Sequence, residues 1–70
     1  MKRERVRSSN IQSVGYDPTA ATLEVEFINS GIYQYFSVPQ QLYQRFMAAR
    51  SKGQFFSGHI RDKFRTEKIQ

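Results

Sequence analysis

Apolar and polar residues alternate most cleanly over Thr22-Leu23-Glu24-Val25-Glu26-Phe27-Ile28, a period of two that predicts a strand with one buried face. Ile11 to Tyr16 alternates more weakly, but Asp17-Pro18 behind it is a turn signal, so the two segments read as a hairpin. Asn29-Ser30-Gly31 has glycine where a left-handed residue is needed, and the aromatic run from Ile32 to Val38 follows as a third strand that ends at Pro39. Pro39 suits the first position of a helix, and Gln40 to Arg50 contains good helix formers, with Leu42, Phe46 and Ala49 on one face flanked by Tyr43 and Met47. Gly53 is the expected stop. A second, shorter helical segment includes Phe55, Phe56, Ile60 and Phe64, with Gly58 weakening its start.

The expected fold is therefore α+β: a three-stranded antiparallel meander with one face covered by one long and one short C-terminal helix. The register of the second hairpin decides where its tyrosines point. A three-residue loop at Asn29-Ser30-Gly31 pairs Ile28 with Ile32, Phe27 with Tyr33 and Val25 with Tyr35, turning both tyrosines toward the apolar face. A four-residue loop beginning at Ile28 reverses this, because one residue of slip sends every side chain to the other face. The glycine position favours the first, which leaves Ile28, Ile32 and Phe36 as an apolar patch on the open face. In the first hairpin, a four-residue loop over residues 18–21 puts Val14 and Tyr16 beside Leu23 and Val25.

Seventy residues allow one small domain, and six Phe and four Tyr supply enough apolar area to pack it. The absence of cysteine fits a reducing cytoplasm and rules out thiolate metal ligation. The basic start is followed by no apolar run long enough for a signal peptide, and nothing approaches a membrane span, so a cytoplasmic protein with no membrane partner is expected. The net charge of +5 is unevenly placed: residues 1–16 carry +3, residues 17–38 carry −3 and residues 39–70 carry +5. That balance points to phosphate-bearing partners or to a solubilising surface.

Catalytic constellations are missing. His59 has no second histidine or cysteine to make a metal site or a relay, and it reads as an exposed helix residue. Asp17 reads as a turn residue, Ser8, Ser9, Ser51 and Ser57 as capping or turn hydroxyls, and Glu24 and Glu26 as solvated carboxylates. The four glycines are dispersed rather than gathered in a phosphate loop. No enzyme, cofactor or metal is expected. What is left is basic: Arg45, Arg50, Lys52, Arg61 and Lys63 are the candidate phosphate contacts, assisted by Lys2, Arg3, Arg5 and Arg7. RNA, including tRNA or another structured RNA, is the expected partner. The alternative is a protein-interaction or homodimerisation module using Ile28, Ile32 and Phe36.

Val6-x-Ser8-Ser9-x-Ile11-x-Ser13-Val14-Gly15-Tyr16-Asp17, then Leu23-x-Val25-x-Phe27, Gly31-x-Tyr33-x-Tyr35 and Val38-Pro39, resembles the KTSC domain, a family named for its occurrence at the C-terminus of some lysyl-tRNA synthetases. Tyr43, Phe46, Ser51-Lys52-Gly53, Phe56, Ile60-Arg61 and Phe64 continue the similarity through residue 64. The resemblance implies a stand-alone bacterial or phage member of a family without an established function, and it carries over no catalytic role. It divides the chain into a flexible basic arm (residues 1–7), a KTSC-like domain (8–65) and a tail (66–70).

Overall fold

The computed structural model describes residues 1–70. Seven elements follow one another along the chain: β1 (Glu4–Arg5), β2 (Ile11–Asp17), β3 (Thr22–Phe27), β4 (Gly31–Tyr35), α1 (Gln40–Ala48), α2 (Lys52–His59) and β5 (Thr66–Lys68). The strands form one antiparallel sheet in chain order, β1-β2-β3-β4-β5. The α+β class is as expected, but the sheet has five strands, not three. The expected meander is its centre. Residues at either end of the chain, too short and too charged to alternate, add a strand to each edge: Glu4–Arg5 pairs with Ser13 and Val14, and Thr66–Lys68, expected as tail, pairs with β4.

The first hairpin has the four-residue loop expected of it, with Asp17 opposite Thr22, Tyr16 opposite Leu23 and Val14 opposite Val25. The Asp17 carboxylate accepts from the amides of Thr19 (3.0 Å) and Ala20 (3.4 Å), which fixes the turn. In the second hairpin Phe27 pairs with Gly31, Val25 with Tyr33 and Leu23 with Tyr35. That register is two residues away from the expected one. A slip of two preserves the alternation, so Tyr33 and Tyr35 still share the apolar face with Leu23 and Val25. Gly31 has φ 94°, and a Cβ there would stand 2.3 Å from the backbone oxygen of Gln70, so both conformation and space require glycine.

The core gathers Ile11, Val14, Leu23, Val25 and Tyr35 from the sheet, Val38 from the link to α1, and Phe46, Phe56 and Ile60 from the helical half. The two helices are close in length, and neither glycine behaves as expected. Gly53 lies in the first turn of α2, not at the end of α1, and Gly58 lies near the end of α2, not at its start. Pro39 sits at the N-cap of α1, one position before the expected one, and α1 ends at Ala48. No helix is long and apolar enough to cross a membrane.

The outer face of the sheet differs most from a solvated surface. Glu24 is only 4% exposed. Arg3 crosses β2 to reach it, and passes where Gly15 has no side chain: a Cβ at Gly15 would stand 2.7 Å from the Lys2 carbonyl oxygen. The Arg3 guanidinium donates to Glu24 and to Ser13 Oγ (3.0 Å), Ser13 donates to Glu26 (2.7 Å), and Gln34 donates to Glu24 (2.9 Å). Burial alone would raise the pKa of Glu24, but hydrogen bonds from Gln34 and Arg3 and the charge of Arg3 outweigh it and hold the carboxyl below its ordinary range. The expectation of a solvated Glu24 fails because its cover comes from a residue far away in sequence.

A carboxyl with a lowered folded-state pKa stabilises the fold above its unfolded pKa and loses that contribution as the pH falls through the folded one. Thermal stability should therefore fall below about pH 4, and less steeply in Glu24→Gln. Arg3→Met should cost about 1–3 kcal/mol at neutral pH in urea unfolding, because it leaves a buried carboxylate without its charged donor.

Candidate nucleic-acid interface

Three segments meet at the N-terminus of α2. The connector between β1 and β2 supplies Arg7, Ser8 and Asn10, the α1–α2 junction supplies Arg50 and Ser51, and the first turn of α2 supplies Lys52, Gly53 and Gln54. They enclose an open cleft of about 830 Å³ that no hydrophobic and no acidic side chain lines. Local chemistry fixes both walls. Ser8 Oγ accepts from the amides of Asn10 (3.3 Å) and Ile11 (3.2 Å), and donates to Asn10 Oδ1 (3.0 Å). Ser51 caps α2 by accepting from the Gln54 amide (3.2 Å), so these hydroxyls have the local roles expected of them.

Gly53 is the contact point between the walls. A Cβ there would lie 2.7 Å from Asn10 Oδ1, which accounts for a glycine in the first turn of a helix. The first-turn amides of Lys52 and Gly53 have no intrahelical partner and form the positive end of the helix dipole. Arg7, Arg50 and Lys52 take part in no ion pair. Lys52 Nζ donates to the Ala49 carbonyl (3.0 Å), which holds the ammonium at the junction. The cleft thus presents three cations, hydroxyls, two side-chain amides and backbone donors with no competing carboxylate.

Of the candidate phosphate contacts, Arg50 and Lys52 come together here. Arg61 lines a neighbouring cleft and is ion-paired at the surface with Asp62 (3.8 Å). Arg45 lies over the Phe55 ring, 5.6 Å from its centroid, and Lys63 is exposed and lines neither cleft. Arg7 belongs with Arg50 and Lys52, although its sequence position groups it with the basic arm; Asn10 and Gln54 carry no sequence signal, since only the packing of α2 against the connector assembles them. His59 is exposed, with its ring stacked on Phe55 at 4.4 Å.

The three candidate partner-binding residues are unequally exposed. Ile28 is 39% exposed, Ile32 is only 6% exposed beside the last residues of the chain, and Phe36 is half-buried under the Arg65 guanidinium, 5.2 Å away.

Residues 7–64 match the family model of the KTSC domain. The chain belongs to the KTSC domain family. This KTSC domain superposes on the crystal structure of a KTSC domain protein from Yersinia pestis with a TM-score of 0.97 and 49% identity, over 99% of this chain and 97% of that one. An uncharacterised protein of Stutzerimonas stutzeri is 42% identical over 81% of this chain and 80% of its own length. A lysine–tRNA ligase of Nostoc is 39% identical over 87% of this chain, which corresponds to 11% of the ligase. The same domain thus occurs in small proteins and as a minor part of a large one.

The two glycines of α2 give a direct check on the wall contact. Gly58 has open space around it, so Gly58→Ala should raise stability by up to about 1 kcal/mol through helix propensity. Gly53→Ala should show no such gain in the same thermal melt, because the new methyl must displace Asn10.

Proposed function

We propose that this KTSC domain is a small, non-catalytic RNA-binding module that contacts phosphates through the cleft at the N-terminus of α2. The convergence of Arg7, Arg50 and Lys52 with the first-turn amides of α2, in a cleft free of carboxylates, carries the reading. Arginine and lysine neutralise phosphate and release counterions, while hydroxyl and backbone donors fix its position. The occurrence of the domain in lysine–tRNA ligases supports RNA as the polyanion. A binding role is favoured over catalysis because the serine hydroxyls of the cleft have neither histidine nor carboxylate among the lining residues to act as a base. The interaction-module reading has less support, since Ile28 is the one member of its patch that is well exposed.

Binding to tRNA or to single-stranded RNA should weaken steeply with salt. Contact with three phosphates implies a slope of log affinity against log salt of about −2 on a single strand. The double substitution Arg50→Ala, Lys52→Ala should lower affinity about tenfold or more at low salt and reduce the slope below about 1, with little dependence on sequence. Titration by fluorescence anisotropy measures both quantities. Absent binding, or a slope unchanged by the double substitution, would remove the proposal.

A further inference from the structure

A second cleft, of about 460 Å³, adjoins the first and shares Asn10 and Ser57 with it. Its character is different. Phe27, Tyr33, Tyr35 and Phe56 form apolar walls, and Arg61, Asp62 and Thr66 add polar groups. A cleft with four aromatic side chains among its lining residues and convergent polar groups beside them, within the usual range of small-ligand sites, is the kind of cavity that holds a planar molecule.

Two features of the tyrosines bear on what that molecule is. Tyr35 is 5% exposed, yet its hydroxyl bonds to no protein atom; it is also not sealed away, because no buried polar side-chain atom in the protein lacks a partner. The one polar atom of an otherwise buried ring is therefore open to a partner from outside. Burial, the neighbouring Tyr33 and the charge of Asp62 push the pKa of Tyr35 up to about 12 against the opposing effect of Arg61, so the phenol keeps its proton well into the alkaline range. Tyr33 is half-buried and meets Phe27 edge-on at 76°. No ring stacks on it, whereas Tyr16 is stacked on Tyr43 and Phe46 on Phe55. A half-buried aromatic ring with no stacked partner thus stands beside a phenolic donor, in a cleft that shares Asn10 and Ser57 with the cationic one.

We propose that this cleft receives an unpaired nucleobase of the RNA strand whose phosphate lies in the cationic cleft, an inference that rests on the phosphate-binding reading. Tyr33 supplies the stacking face. Tyr35, with the Asn10 amide, donates to the base edge, and Asp62 and the Ser57 hydroxyl offer acceptors. A base held in a duplex cannot enter such a cavity, so the domain selects single-stranded or bulged RNA over a helix.

Three probes of equal length separate the terms: an unstructured RNA strand, the corresponding abasic strand, and a blunt RNA duplex. The unstructured strand should bind about tenfold more tightly than the abasic one. Tyr33→Ala should reduce it to the abasic level without changing the salt slope. Tyr35→Phe, which keeps the ring and has no internal hydrogen bond to lose, should leave the melting temperature unchanged and weaken binding of the intact strand several-fold, leaving the abasic strand unaffected. Equal binding of intact and abasic strands, a preference for the duplex, or indifference to Tyr35→Phe overturns the nucleobase site while the phosphate cleft stands. Binding of none of the probes removes both.

Discussion

The ring of Phe56 connects the parts of this fold. It meets Phe27 at 5.2 Å and Tyr35 at 5.3 Å, both edge-on, and lies 6.3 Å from Phe46, so one side chain of α2 touches β3, β4 and α1. Apart from Phe55, half-buried and stacked on Phe46, the helix offers little else to bury. Its first turn is Lys52-Gly53-Gln54, and the fully buried Ile60 follows only after it ends. A short helix without a broad apolar stripe is held by such anchors rather than by its length. Phe56 therefore sets where the N-terminus of α2 lies against residues 7–10, and it also forms a wall of the aromatic cleft. Both clefts depend on the same contact.

The sheet separates two electrostatic environments. The acidic middle of the chain places Glu24 and Glu26 on the outer face, where Arg3 draws both carboxylates into a hydrogen-bonded group. The cationic cleft is built from the connector and the helical half, with no acid among its lining residues. Net charge alone would describe a uniformly basic surface. Local pairing instead consumes one arginine on the sheet and leaves Arg7, Arg50 and Lys52 available.

The alternation from Thr22 to Phe27 and the turn chemistry of Asp17 were legible because they are local. So was the inward face of Tyr33 and Tyr35, which survives a two-residue error in register because strand periodicity is two. The edge strands were not legible, since Glu4–Arg5 and Thr66–Lys68 take their conformation from the unpaired groups of their neighbours. Glu24 was assigned the correct face but the wrong environment, for want of any local sign that Arg3 returns across Gly15. Arg50 and Lys52 stood out by charge, whereas Asn10 and Gly53 make sense only together, as two sides of one contact. The cleft is a property of packing between distant segments, and its cations were visible before its shape.

The order of the sheet also bears on how these molecules behave in concentrated solution. Its outermost strands are two and three residues long, and all their residues are exposed. Four of those five positions are charged: Glu4, Arg5, Glu67 and Lys68. A long apolar edge invites a strand from a neighbouring molecule, whereas a short charged one offers few backbone groups and makes alignment costly. By laying Glu4–Arg5 and Thr66–Lys68 along β2 and β4, the chain covers part of the backbone edge of two longer strands. The flanking segments thus leave only short, charged strands at the two edges of the sheet.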